Sequence, residues 1–88
     1  MAKFKLNFAT SVKKDLRKIP NNDVAKILTL INSLLENPLP RNVKKLSHHN
    51  KFRIRYRNYR ILYQIKNNEL IILILKISHR KDAYRTFK

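Results

Sequence analysis

The chain has 88 residues, with 21 lysines and arginines against five aspartates and glutamates, and a formal net charge of +16. It has no cysteine, which excludes disulfides and thiolate metal ligands and agrees with a reducing cytoplasm. A chain of this length is expected to form one small domain, and its longest apolar run, residues 70–75, is too short to cross a bilayer.

The first forty residues predict a strand followed by two helices. Residues 3–9 alternate, with Phe4, Leu6 and Phe8 on one side, as in a half-buried strand rather than a secretory signal. Apolar residues then recur at helical spacing in two segments, which end at Pro20 and at Asn37. These residues are Val12, Leu16 and Ile19, then Val24, Ile27, Leu28, Ile31, Leu34 and Leu35. Their short link predicts an αα-hairpin.

The second half predicts a connection and three strands. Residues 38–50 are polar and basic and are expected to be a connecting segment. Strands are expected over 51–57, 59–66 and 69–77. Turns are expected at 57–58 and at 67–68, the latter pairing Lys66 with Glu69, although Arg57 suits a two-residue turn poorly and a longer first turn is the alternative. The last strand is apolar on both faces, which is typical of a central strand.

The expected fold class is therefore α+β, as a single domain over residues 1–88. A small, mostly antiparallel four-stranded sheet carries the αα-hairpin on one face, in the order β-α-α-β-β-β. A short helix or tail is expected to follow the last strand.

Strand alternation sorts the hairpin into an apolar and a basic face. Phe52, Ile54, Tyr56, Ile61, Tyr63, Ile65, Leu70, Ile72 and Ile74 are expected to face the helices. The opposite face is expected to hold Arg53, Arg55, Arg60, Leu62, Leu73, Leu75 and Ile77, with Arg55 directly across from Arg60. Like charges directly opposite destabilise a sheet. The arrangement therefore indicates an external anion, since arginine makes forked contacts to phosphate. A solvated basic face without a specific ligand is the alternative.

The charge distribution supports an anionic partner. Residues 1–40 contain seven basic and three acidic residues, whereas residues 41–88 contain fourteen basic and two acidic ones. Such a field attracts nucleic acid, a ribosome or an acidic protein. A membrane surface fits poorly because the charge follows a sheet rather than an amphipathic helix.

Other catalytic motifs are missing from the sequence. There is no glycine, hence no glycine-rich phosphate loop. The five acids are scattered, so neither a metal site nor another cofactor is expected. The adjacent His48 and His49 are interpreted as polar surface. An enzyme built from these residues would use cations, with His79 or Tyr84 as candidate partners.

Three segments resemble the RelE/ParE superfamily of toxins from toxin–antitoxin systems. They are "SVKKDLRKIP" at 11–20, "KKLSHHNKFRIRYRNYRILYQI" at 44–65 and "ILKISHRKDAYR" at 74–85. The resemblance covers nearly the whole chain. It departs locally at Asn58, where the family often has glycine before the "YR" pair. RelE-type members cut mRNA in the ribosomal decoding site, whereas ParE-type members act on DNA gyrase.

The resemblance implies a set of catalytic residues: Arg53, Arg55, Arg60, Arg80 and Tyr84. It implies attack by an RNA 2′-hydroxyl on the adjacent phosphorus. Arg60 would clamp the phosphate, Arg80 would stabilise the phosphorane or leaving group, and Tyr84 would stack on or orient a base. Further contacts to RNA phosphates are expected from Arg53, Arg55, Lys44, Lys45, Lys51 and Lys81.

The general base is left open by the sequence. Arg53 and Arg55 stand where ribosome-dependent relatives often carry lysine, and arginine is a poor base because it does not readily lose its proton. Either His79 or a loop histidine accepts the proton, or the cluster acts only electrostatically.

The resemblance also implies partners and leaves two other functions open. A cognate acidic antitoxin, mRNA and the ribosome are the expected partners, in the cytoplasm and away from membranes. The alternatives to an mRNA endonuclease are a ParE-like gyrase inhibitor and a non-enzymatic basic RNA- or ribosome-binding protein.

Overall fold

The computed structural model describes residues 4–47 and 50–79. Within these ranges the chain forms two helices and one five-stranded sheet. The helices are α1 (Thr10–Arg17) and α2 (Asn21–Ser33), and the strands are β1 (Lys5–Phe8), β2 (Lys44–Ser47), β3 (Lys51–Tyr56), β4 (Tyr59–Lys66) and β5 (Ile71–His79). The α+β class and the helical hairpin are confirmed.

The strands lie in the order β1-β5-β4-β3-β2. Neighbouring pairs are antiparallel except β1 and β5, which are parallel. The two helices connect β1 at one edge of the sheet to β2 at the other. The interpretation of β5 as a strand with neighbours on both sides is confirmed, because it lies between β1 and β4.

One face of the sheet packs against both helices, and we call it the inner face. Its strands contribute Phe52, Ile54, Tyr59, Ile61, Tyr63, Ile65, Ile72, Ile74 and Ile77 to a buried core with Val12, Ile19, Ile27, Ile31 and Leu34 of the helical segment. Both predicted helical stripes enter this core. The other face, which we call the open face, carries neither α1 nor α2.

The prediction of four strands was wrong because it missed β2. Lys44 and Lys45 pair with Arg53 and Phe52 across an antiparallel ladder. The four residues of β2, Lys44–Ser47, lack the apolar alternation that predicts a strand. Their backbone is extended because it pairs with the edge of β3. Short, lysine-rich strands are common at sheet edges, where charge discourages pairing with another chain.

The predicted turn at 67–68 was also wrong. Residues 67–70 all lie in the turn, Lys66 pairs with Ile71 rather than Glu69, and Leu70 takes a positive φ of 54°. The backbone N–H groups of Glu69 and Leu70 donate to the carbonyls of Lys66 and Asn67, at 3.2 and 3.3 Å. Leu70 is therefore an exposed turn residue and not part of the core.

A β-bulge in β5 overturns the predicted position of Ile77. Leu62 pairs with Lys76 while the next residue, Tyr63, pairs with Ile74, which leaves Leu75 as the extra residue. One inserted residue exchanges the two faces of the strand beyond it. Ile77 is consequently on the inner face, with 2% of its surface exposed, and not on the open face.

Candidate anion-binding site

The β3–β4 hairpin places three arginines on the open face. Arg55 pairs with Arg60 and Arg53 pairs with Leu62, and the alternating inner residues are buried except Tyr56, which is half-buried. Arg55 is exposed, and Arg53 and Arg60 are half-buried. All three arginines lie on the face that strand alternation predicted for them.

The two-residue turn at Arg57 and Asn58 sets this register. Tyr56 pairs with Tyr59, and Arg57 adopts a positive φ of 53°. A two-residue hairpin turn favours positive φ, so the shorter of the two anticipated turns is the one formed. The Arg57 guanidinium lies 5.7 Å from the centre of the Tyr56 ring, an inner-face neighbour. It is thus separate from the open-face arginines.

The arginine cluster has no carboxylate partner in the described part of the chain. Among residues 4–47 and 50–79, the one ion pair joins Lys76 to Asp15, and no carboxylate reaches Arg53, Arg55 or Arg60. Burial, and then the positive charges of Arg55 and Arg60, lower the pKa of the Arg53 guanidinium from its ordinary value. A bound anion would relieve the charge repulsion that contributes to this shift.

The predicted lysines divide between the two faces. Lys44 pairs with Arg53, and Lys51 pairs with Gln64 two residues along β3, so both extend the basic open face. Lys45 pairs with Phe52 and therefore belongs to the opposite face at the sheet edge. All three lysines are exposed.

Lys76 and Ser78 join the open face and were missed by the sequence reasoning. Lys76 pairs with Leu62, and Ser78 pairs with Arg60. Uninterrupted alternation would have put Lys76 among buried residues, where lysine is almost never found without a partner. That conflict within an otherwise apolar strand was a signal for the bulge.

His79 lies on the inner face rather than beside the arginines. It pairs with Tyr59, and the two rings meet edge-to-face with their centres 5.2 Å apart. The Tyr59 hydroxyl donates to Asp23 Oδ2 at 3.0 Å. Burial, and then the hydrogen bond to Asp23 and its charge, raise the pKa of Tyr59. The described geometry therefore separates His79 from Arg55 and Arg60.

The remaining predicted residues are not described. Arg80, Lys81 and Tyr84 follow the last described residue, and His48 and His49 fall in the gap before Asn50. Within the described ranges, no three histidine, aspartate or glutamate side chains are grouped as metal ligands. Neither of the two described helices has the length and apolar character required to span a bilayer.

The fold and this surface are those of a small, basic α+β protein that carries a cluster of arginines on the helix-free face of its sheet. Residues 6–84 match the family model described as the ParE toxin of the type II toxin–antitoxin system, parDE. The chain belongs to this ParE/RelE family of toxins.

Individual relatives carry RelE names. The putative toxin RelE1 of Methanocaldococcus jannaschii is 33% identical over 87 residues, which span 94% of this chain and 97% of the relative. The archaeal RelE–RelB complex from Pyrococcus horikoshii OT3 contains a similar fold, with a TM-score of 0.81, 26% identity, and coverage of 90% of this chain and 97% of that one. The toxin–antitoxin complex RelBE2 from Mycobacterium tuberculosis gives a TM-score of 0.77, 29% identity, and coverage of 90% and 100%.

Proposed function

We propose that this chain is the toxin of a toxin–antitoxin pair and a metal-independent endoribonuclease that inhibits translation by cutting mRNA on the ribosome. The observation that carries the proposal is the pairing of Arg55 with Arg60, next to Arg53, with no described carboxylate in an ion pair with any of the three. The RelE names of the relatives support the same activity.

The reaction needs positive charge more than it needs a metal. A 2′-oxygen attacks the neighbouring phosphorus, the bond from phosphorus to the 5′-oxygen breaks, and a 2′,3′-cyclic phosphate and a 5′-hydroxyl result. The 2′-hydroxyl loses one proton and the leaving 5′-oxygen gains one. Between these events the phosphorane carries extra negative charge, which preorganised cations stabilise.

Each arginine has a role in this proposal. Arg60 holds the scissile phosphate from the middle of the sheet, while Arg53 and Arg55 stabilise the phosphorane from β3. Arg80 stabilises the phosphorane or the leaving group, and Tyr84 stacks on a base. Both residues lie outside the described ranges. Lys44, Lys45, Lys51 and Lys81 bind flanking phosphates, with Lys45 reaching from the edge of the sheet.

The arginines act electrostatically and not as the base. Arginine keeps its proton, and His79 faces Tyr59 on the inner face. For His79 to accept the proton, the end of β5 would have to rearrange on binding RNA. The His79→Ala variant tests this route, because an unchanged pH dependence of cleavage would eliminate His79 as the base.

Primer extension on a reporter mRNA in a translation extract tests the activity itself. The expected result is cuts at fixed positions within codons, with fragments whose 5′-hydroxyl ends accept phosphate from polynucleotide kinase without prior phosphatase treatment. Fragments with 5′-phosphate ends, or no cuts at all, would contradict the proposal. Arg80→Ala and Tyr84→Ala are each expected to relieve growth arrest on expression while the protein stays folded.

The description of the matching family model favours one alternative, a ParE-like inhibitor of DNA gyrase. Such an inhibitor would leave the reporter mRNA intact and abolish supercoiling by purified gyrase. A non-enzymatic RNA- or ribosome-binding protein would leave both the mRNA and gyrase supercoiling unchanged, but would co-sediment with ribosomes. The mRNA-cleavage, supercoiling and co-sedimentation assays together separate all three functions.

The open face also suggests how the toxin is neutralised. Leu62 and Leu73 are half-buried there, next to the arginines, and Leu75 is the bulged residue. We propose that an acidic, amphipathic segment of a cognate antitoxin covers these leucines and neutralises the arginines. The solved RelE–RelB complexes support an antitoxin as the partner.

Co-expression with the product of the adjacent gene tests the antitoxin proposal. We expect a soluble complex whose association is fast at low salt and slows as salt screens the charges. Substitution of Leu73 by Glu should weaken the complex. Failure to form a complex, or association that is independent of salt, would contradict this mode of binding.

A further inference from the structure

We propose that Lys76 is a further phosphate-binding residue of the open face, restrained by Asp15 until RNA binds. This inference deepens the ribonuclease proposal by adding a residue from β5 to a site otherwise described on β3 and β4. It rests on three observations: the bulge, the strand register and the ion pair.

The bulge at Leu75 is what brings Lys76 to the open face. Ile72 and Ile74 before it and Ile77 after it are all buried on the inner face. Lys76 is half-exposed, with 44% of its side-chain surface accessible. Bulges often re-aim a side chain next to a functional site. Here the shifted residue is a lysine: its register position is on the open face, while its ammonium group extends to Asp15 of α1, 3.7 Å away.

The register places Lys76 within reach of the same phosphate. It pairs with Leu62, which on its other side pairs with Arg53. Lys76 is also the diagonal neighbour of Arg60, because Arg60 pairs with Ser78. Diagonal neighbours are about 7–8 Å apart, a distance that long side chains can span. A phosphate held by Arg60 and Arg53 would therefore be flanked by Lys76 on the β5 side.

Asp15 holds the end of β5 and Lys76 together. Its Oδ2 accepts the backbone N–H of Ile77 at 3.1 Å, and its Oδ1 lies 3.7 Å from the Lys76 ammonium. The Asp15 side chain is only 13% exposed. The distance between the Lys76 ammonium and Asp15 is too long for a good hydrogen bond, and half-exposed ion pairs contribute little to stability. Lys76 can therefore exchange Asp15 for a phosphate at small cost.

Salt-dependent binding of a non-cleavable RNA tests the role of Lys76. The probe is a short, fully 2′-O-methylated single-stranded RNA, titrated into the full chain at several salt concentrations. Each phosphate contact on a single strand contributes about 0.7 to the slope of log K against log salt. Lys76→Met should weaken binding about 5–10-fold at low salt and reduce the magnitude of the slope by about 0.7.

The matched control is Lys26→Met, which removes an exposed lysine from α2. It should change affinity less than about twofold, and Lys76→Arg should bind like the wild type. If Lys76→Met and Lys26→Met weaken binding equally, Lys76 contributes only net charge and the inference is overturned.

Asp15→Asn provides the second test, because its amide oxygen still accepts the Ile77 N–H while the charge is lost. Because Lys76 then has no counter-ion, the Asp15→Asn variant should bind RNA as tightly as the wild type or about 2–5-fold more tightly. Weaker binding by Asp15→Asn at an unchanged unfolding midpoint would overturn the inference, because the site would then need the ion pair rather than the free cation.

The design separates this inference from the proposed function. If the wild type cuts no mRNA yet binds the methylated strand with a Lys76-dependent slope, the ribonuclease proposal fails and the phosphate contact stands. If the wild type cuts mRNA and Lys76→Met matches the Lys26→Met control, only the role of Lys76 is lost.

Discussion

On the inner face of the sheet, both tyrosines of β4 have hydrogen-bond partners near the ends of α2, whereas on the open face the arginines of β3 and β4 stand beside one another. The Tyr59 hydroxyl donates to Asp23 in the first turn of α2. The Tyr63 hydroxyl donates, at 2.6 Å, to the carbonyl of Pro38, which follows the C-terminal end of α2. A buried hydroxyl without a partner would be costly. The inner face therefore fixes the helices to the sheet.

The open face shows the reverse arrangement. Arg53, Arg55 and Arg60 repel one another, and no described carboxylate offsets their charge. On β4, the inner-face residues therefore stabilise the fold, whereas charge repulsion on the open face destabilises it. Substitutions on the two faces of β4 should therefore affect different quantities: stability on the inner face, and binding or catalysis on the open face.

The largest expected effect is on catalysis by Arg60→Ala. Losing a cation directed at the phosphorane should slow mRNA cleavage about 10²–10³-fold. The urea midpoint of unfolding should stay unchanged or rise slightly, because one repelling charge is removed. Rates from primer extension and midpoints from circular dichroism measure the two quantities.

Arg57→Ala is the control for Arg60→Ala. Both changes remove one arginine from the hairpin, but Arg57 lies in the turn against Tyr56. It should weaken RNA binding only modestly, through net charge. Equal damage by the two variants would mean that the arginines form a diffuse electrostatic patch, and the binding-protein alternative would then be favoured.

Tyr63→Phe should have the opposite profile. Tyr63 is fully buried, and the change deletes its hydrogen bond and leaves the Pro38 carbonyl without that donor. We expect a loss of about 1–3 kcal/mol in the free energy of unfolding, measured by urea titration, with cleavage unchanged at temperatures where the variant is folded. A slower cut by folded Tyr63→Phe protein would show that the two faces are coupled.

A smaller difference is expected at high pH. Burial raises the pKa of Tyr63 from 10.0 to about 12, so between these values the unfolded chain loses the proton while the folded chain keeps it. The stabilisation is complete below about pH 10 and is lost as pH rises towards 12.

The test compares the urea midpoints of wild type and Tyr63→Phe across this range. Lysine titration affects both proteins alike, so their difference isolates the tyrosine. The gap between the midpoints should shrink as pH rises from 10 to 12, and a constant gap would contradict the raised pKa.

The helical hairpin, the β3–β4 pairing and the grouping of Arg53, Arg55 and Arg60 could all be predicted from the amino-acid sequence. These features depend on local periods: apolar residues at helical spacing in α1 and α2, and alternation across a two-residue turn in β3 and β4. The arginines contrast with buried neighbours on both strands, so any slip of register would have buried charge.

The positions of β2, Ile77, Lys76 and His79 depend instead on tertiary contacts that the sequence pattern does not reveal. β2 has no apolar alternation and exists because β3 offers an unpaired edge. β5 is apolar on both faces, so its pattern does not reveal the one-residue shift at Leu75. That shift depends on its pairing with β4 and on the acceptance of the Ile77 N–H by Asp15, a residue 62 positions earlier in the chain. Because such partners are distant in sequence, periodicity placed the arginines correctly but put Ile77 on the wrong face and left Lys76 out of the site.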